Sequence, residues 1–224
     1  MSEQASEQVI EQTSAKPVKE KKAKQVKLNK KGKVKTHHFR VFILFLLASL
    51  VVVTFGFVAI YPSLAMNGYR KAILVNGLGT GSPIPVNTYY TVPYISNPTD
   101  ATANILTAGA NQDTLYSGAW LDLSKGPLVL SVPDMNDRYY ALEFVNAKDN
   151  SVINTIGKRT TGTGAGSFFI TGPGWSGTVP SGMTQITSPN NEVLLLGRVF
   201  VADDSEVQLV YNLSTQITIT PYQS

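Results

Sequence analysis

The residues able to move a proton or grip a ligand are unevenly spread along this chain. Both histidines, His37 and His38, lie ahead of residue 41, and there is no cysteine anywhere. From residue 61 to Ser224, acid–base chemistry near neutral pH must fall to a carboxyl, tyrosine or lysine with a strongly shifted pKa. Composition excludes histidine-based triads and conventional zinc sites from this stretch. Paired carboxylates remain permitted, because a glycosidase needs only two acids flanking its sugar. Asp113, Asp122, Asp134, Asp137 and Glu143 are numerous enough for that. Asp134 and Asp137 fall in a turn, however, where aspartates mostly bond to backbone. Asp113 sits at a strand entrance suited to capping or to an arginine partner. Structural use is the better account of these acids.

The aromatics Tyr89, Tyr90, Tyr94, Tyr116, Trp120, Tyr139, Tyr140 and Trp175 could line a sugar-stacking groove. Aromatics alternating along strands usually pack, which argues against one. Two stretches, GLGTGS at 77–82 and GTGAGS at 162–167, mimic phosphate loops. A dinucleotide site needs G-x-G-x-x-G opening a helix straight after a strand. Here the sixth position is Ser82 or Ser167, and no helical pattern follows, so both read as loop glycines. No cofactor and no metal is expected.

The elements that must position these residues are strands. Beyond residue 60, short β-branched and aromatic runs alternate with Gly, Pro, Asn, Asp and Ser clusters. Thr114–Leu123 alternates cleanly, with Leu115, Ser117, Ala119, Leu121 and Leu123 on one side. Leu128–Val132 and Arg138–Ala147, joined by Pro133–Asp137, read as a hairpin. Further strands are expected at Ser151–Ile156, Ser167–Thr171, Thr184–Thr187, Glu192–Val201 and Ile217–Thr220. Glu192–Val201 is nearly all apolar and reads as a central strand buried on both faces. Arg198 within it should then be buried against a carboxylate or carbonyls. Asp203 and Glu206 resemble a helix cap before VQLVYNL. Tyr61–Lys71 either extends the preceding helix or turns away from it, and 77–85 and 95–103 look like loops.

Ahead of this part, Val41 to Ile60 runs twenty residues without a charge or proline. At about 1.5 Å per residue that is roughly 30 Å of helix, the thickness of a bilayer's hydrocarbon core. Residues 1–40 carry ten lysines and Arg40 against four glutamates, a net +7, while the remainder carries −3. The pI of 9.2 therefore describes the tail. Positive charge accumulates on the cytoplasmic side of a membrane helix, so residues 1–40 are expected in the cytosol and the C-terminal domain outside. Cleavage after Ala65 is the rival reading, but a signal h-region is shorter than this span. The tail is polar enough to be expected disordered, with its lysines drawn to anionic lipid headgroups. Nothing aromatic is interleaved for base stacking, so nucleic acid is not expected as a partner.

At NQDTLYSGAWLDLSKGPLVLSVPDMNDRYYALEF (111–144) and GKRTTGTGAGSFFITGPGWSGTVPSGMTQITSPNNEVLLLGRV (157–199) the chain resembles the bacterial domain of unknown function DUF1254. The likeness is weaker through Tyr61-Pro62 and Pro85-Val86-Asn87. It implies an immunoglobulin-like β-sandwich and supplies no established reaction. Many members carry a second, jelly-roll domain (DUF1214) after this one. Its absence from this sequence puts any activity located there in doubt. The matched polar residues Asn111, Asp113, Asp134, Arg138 and Arg159 form the candidate cluster, without assigned roles.

The expectation is thus a mostly β protein in three parts. These are a disordered Lys-rich tail (1–40), one transmembrane helix (41–60) and a β-sandwich ectodomain (61–224). It reads as a single-pass, signal-anchored module of the cell envelope, facing the periplasm or exterior, that binds or assembles with a protein partner or glycan. The alternatives are a carboxylate-dependent hydrolase of envelope glycans, or a subunit that needs a separately encoded jelly-roll partner.

Overall fold

The structure, a computed structural model, describes residues 16–96 and 111–223, with side chains from residue 37 onward. The start of the basic tail and most of the expected loop at 95–103 lie outside these residues. The chain divides into two compact units, Met1–Ala59 and Ile60–Ser224.

The first unit is helical. Helix α1 spans Lys16–Leu74, so residues 16–40 are helical where disorder is expected from composition. Lys, Gln, Glu and Ala are strong helix formers, and a segment continuous with an existing helix avoids the nucleation penalty. Pro17 lies in the first turn, where its missing N–H is not needed. Leu44, Phe45, Val52 and Phe55 are all exposed around the apolar stretch. Ser49 and Thr54 turn their hydroxyls back onto the carbonyls of Leu46 (2.9 Å) and Leu50 (2.8 Å), as hydroxyls on an apolar helix must. The helix is long and apolar enough to cross a membrane.

The second unit is mostly β. Its strands are β1 (Tyr90–Thr91), β2 (Thr114–Asp122), β3 (Leu128–Val132), β4 (Tyr140–Asn146) and β5 (Val152–Gly157). They continue with β6 (Gly166–Thr171), β7 (Thr184–Thr187), β8 (Glu192–Phe200) and β9 (Thr218–Pro221). One sheet runs in the order β1-β2-β8-β4-β5 and the other β7-β6-β3-β9. Leu115 and Leu121 of β2, Leu128 and Leu130 of β3, Phe144 of β4, Ile170 of β6 and Leu195 of β8 meet in one apolar core. The alternation read from the sequence sets which side chains enter it.

Two expectations for this second unit need correction. Leu128–Val132 and Tyr140–Asn146 are not a hairpin, because β3 pairs with β6 and β9 while β4 pairs with β5 and β8. The link Pro133–Asp137 instead crosses between the sheets. Met135, fully buried at its centre, fills the end of the core, which accounts for the crossing. The second correction concerns Arg198, which is exposed rather than buried. Its guanidinium lies over the Tyr116 ring at 5.0 Å, an aromatic face in place of a carboxylate.

Strand β8 is central, and both its faces are covered over most of its length. Val193, Leu195 and Val199 face the core between the sheets. Leu194 and Leu196 face a second apolar cluster with Trp120, Met66, Ile73, Leu78 and Ile84. The last turns of α1 thus lie on the outer face of the larger sheet, so Tyr61–Lys71 extends the helix and its end helps seal the fold. Glu192 accepts from the Trp120 indole N–H at 3.3 Å and lies 3.6 Å from the Arg70 guanidinium. Asn87, which has a positive φ of 62°, clamps the far end of β2. Its side chain accepts from Asp122 N at 2.7 Å.

Candidate functional site

The pairing of Thr114 with Phe200, Tyr140 with Val199 and Ala141 with Gly157 brings four strand ends to one rim of the larger sheet. Three loops build that rim. In the β3–β4 crossing, Asp134 accepts from Asn136 N at 2.8 Å, and Arg138 N closes a turn on Met135 O at 2.9 Å. Asn136 and Asp137 occupy its centre at φ 50° and 59°, a left-handed pair that Asn and Asp tolerate best after glycine.

The β5–β6 loop starts at Gly157, whose φ is 154° and where a Cβ would meet Tyr140 O at 2.3 Å. Only glycine fits there. Its carbonyl accepts from the N–H groups of Thr160, Thr161 and Gly162 at 3.0, 2.9 and 3.1 Å, folding Lys158 and Arg159 into a tight tip. Met135 N donates to Thr163 O at 2.7 Å, joining this loop to the crossing. Lys158 adds a bond to Asp137 O at 2.6 Å and an ion pair with its carboxylate at 2.8 Å.

The third loop follows β8. Asp203 caps a short 3-10 turn, Asp204–Glu206, by accepting from Ser205 N at 2.8 Å, and helix α2 (Val207–Ser214) follows. Hydrogen bonds from Ser205 hold the Asp203 carboxyl below its usual pKa. Glu206 accepts from Ala202 N at 3.3 Å and from the Arg138 guanidinium at 2.9 Å. The Arg138 bond, followed by that of Ala202, draws the Glu206 pKa below the usual carboxylate range. Arg138 also donates to Phe200 O at 2.9 Å, so Nη1 is held by two partners inside the protein.

Arg159 is held differently. It lies over the Tyr139 ring at 5.3 Å, and among the described residues no carboxylate comes within 4 Å of it. Together with Lys158, Asp137, Arg138 and Glu206 it lines a cleft of about 570 Å³. A second cleft of about 300 Å³ adjoins it, sharing Asn136 and Arg138 and walled by Leu209, Asn212, Leu213 and Gln216. Three cations and two carboxylates thus meet in the first cleft, and an apolar helix face lies beside it.

Of the five residues singled out by sequence, Arg138 and Arg159 line the first cleft. Asn111 is buried at the entrance of β2, where it accepts from Thr114 N at 3.1 Å and donates to Ser96 O at 3.4 Å. Asp113 is exposed, and its carbonyl accepts from Val201 N at 2.7 Å. Asp134 serves its own turn. The aromatics do not form one groove. Tyr140 is in the core, Tyr116 and Trp120 are in the second cluster, Trp175 packs on Phe169 at 5.0 Å, and Tyr139 carries Arg159.

Sequence reasoning names Tyr139 as a possible groove aromatic but misses Lys158 and Leu209 as cleft residues, because only the folding of the chain joins them. It also misses a buried hydroxyl chain. The Tyr89 hydroxyl bonds Ser117, and Thr91 bonds Ser214 at 2.7 Å. Burial pushes the Tyr89 phenol up to about 12, outweighing the bonds from Ser117 and Ser214. Gly197, paired opposite Ser117, leaves the room, since a Cβ there would stand 2.1 Å from Ser117 Oγ.

Comparison with known proteins places these features in a lineage. The sequence profile of a family described as protein of unknown function (DUF1254) matches residues 86–221. Among solved structures, the VPA0106 protein from Vibrio parahaemolyticus is similar at 23% identity with a TM-score of 0.53, over 75% of this chain and 40% of that one. An uncharacterised protein from Burkholderia cenocepacia aligns at 15% identity with a TM-score of 0.37, over 76% of this chain and 40% of its own. This chain therefore spans 40% of the length of each of these structures. No curated protein matches it.

Proposed function

The chain belongs to the DUF1254 family, whose description names no activity, and on that premise we propose a binding function from the geometry of its rim. It is a single-pass membrane protein whose N-terminal tail is cytosolic and whose immunoglobulin-like β-sandwich faces the periplasm or cell exterior. The sandwich holds an anionic ligand of the envelope, or a protein partner, in the cleft beside Arg138 and Arg159. The tail lysines contribute contacts with anionic lipid headgroups.

The observation that carries this reading is Arg159. Arg138 is engaged by Glu206 and a carbonyl, and Lys158 by Asp137, but among the described residues the Arg159 guanidinium has an aromatic ring beneath it and no carboxylate within 4 Å. A planar fork in that state is suited to a carboxylate or phosphate from outside. The acids at the rim support binding over hydrolysis. A general acid needs a raised pKa, whereas the bond from Arg138 draws that of Glu206 down.

Reporter fusions at Ser224 test the orientation, since a reporter functional only in the cytosol should be inactive there. Binding is tested on the full chain in detergent with polygalacturonate and poly-aspartate as anionic probes. Salt-sensitive binding that Arg159→Glu abolishes is the expected result. Hydrolysis of a glycan that disappears in a folded Asp113→Asn or Asp134→Asn variant would replace this reading with a hydrolase.

A further inference from the structure

The anion-binding cleft and the apolar cleft share Arg138 and Asn136, so one ligand can lie across both. We propose that this ligand is a short segment of a partner protein in which an acidic residue adjoins an apolar one. The acid meets Arg159, and the apolar side chain lies on Leu209 and Leu213 of α2. The inference rests on the binding function above and narrows it to one class of ligand.

Three observations favour a peptide. Charge complementarity is the first: three cations face two carboxylates in the cleft, and the uncompensated one is an arginine, whose fork suits a carboxylate. Leu209 is the second. It is 61% exposed on the helix flank beside the cleft, an apolar anchor a carbohydrate would not use. The third is Tyr139. Sugars stack on open aromatic faces, and Arg159 already covers the ring at 5.3 Å. The loops that present these groups are cross-bonded at 2.7 Å between Met135 and Thr163, so little ordering is required on binding.

The test is selection of a phage-displayed random dodecapeptide library on the full chain in nanodiscs. Peptides that combine Asp or Glu with Leu, Ile or Phe should be enriched. Their affinity should fall at least tenfold in Arg159→Glu and also in Leu209→Asp, two exposed positions where circular dichroism should stay unchanged. Should either variant misfold, Arg159→Gln and Leu209→Ser take its place. Enrichment without acids, or affinity indifferent to position 209, would overturn the proposal. Polygalacturonate binding that needs Arg159, with no peptide selected, would refute the peptide and leave the anion-binding function standing. Loss of both would refute both. Self-association that Arg159→Glu abolishes would name a second copy as the occupant and overturn the proposal.

Discussion

On the outer face of the larger sheet, the large side chains find apolar partners in the last turns of α1 and the segment after it. At the rim, the large side chains are cationic and are held by two carbonyls, two carboxylates and a ring. Trp120 and Ile73 are at most 2% exposed, whereas Arg159 is exposed. The first arrangement removes area from water and stabilises the fold in proportion to that area. The second is held by local loop bonds and leaves a charge directed at solvent. Substitutions on the covered face should therefore change stability, and substitutions at the rim should change binding.

The largest effect is expected at Trp120. Its ring joins Met66 and Ile73 to the sheet, and its N–H reaches Glu192. Trp120→Ala in the full chain should lower stability by about 3–5 kcal/mol, read as a shift in denaturant midpoint. An unchanged midpoint would mean that the end of α1 does not seal this face.

Next in size is Gly197→Ala, which overpacks the buried hydroxyl chain. A loss of about 1–3 kcal/mol is expected, since the added carbon meets Ser117, Tyr89 and Leu142 at 2.1, 2.6 and 2.8 Å. The Tyr89 phenol gives a second readout. Its folded pKa of about 12 lies above the ordinary value. The stability it contributes is complete below about pH 10 and is lost as pH rises through 12. Ultraviolet titration of the native protein should show late-ionising tyrosines, Tyr89 and Tyr90 among them, and Gly197→Ala should bring the Tyr89 step down.

The contrast between face and rim also marks what the sequence makes legible. The strands are readable, because Leu115, Ala119 and Leu121 alternate, and so do Leu128, Leu130 and Val132. The long apolar helix is readable from its length and lack of charge. The sheet to which a strand belongs is not readable. Pro133–Asp137 looks like a hairpin turn until Met135 is seen to fill the core between two sheets. Arg198 misleads for a related reason: its strand is covered outside by the end of α1, but that cover does not reach position 198. The rim was half legible. Arg138 and Arg159 stand in strings that signal the family, but their distinct states depend on Glu206 and Tyr139, placed by long-range folding.

A smaller effect is expected for Arg138→Ala. The charge-assisted bond it loses to the Phe200 carbonyl is worth about 1.5 kcal/mol. Its loss should also raise the Glu206 pKa toward the ordinary value, with the bond from Ala202 N still holding it down in part. A lowered carboxyl pKa contributes stability above the unfolded value of about 4.3 and loses it as pH falls through the folded one. The acid limb of a stability–pH profile should therefore flatten in the variant. A limb unchanged in shape would show that Arg138 does not hold Glu206 ionised.

The smallest effect on stability, and the most informative one, belongs to Arg159→Ala. An exposed arginine over a tyrosine ring contributes about 0.5–1 kcal/mol, and among the described residues no carboxylate within 4 Å is left unpaired by its removal. The loop keeps its shape, because Gly157, Thr160, Thr161 and Gly162 hold it through the backbone. Stability should thus change by less than 1 kcal/mol, while binding of poly-aspartate weakens several-fold and loses part of its salt dependence. If the midpoint instead fell as far as in Trp120→Ala, Arg159 would belong to the packing of the fold. The division between a covered face and a binding rim would then fail at the residue on which it most depends.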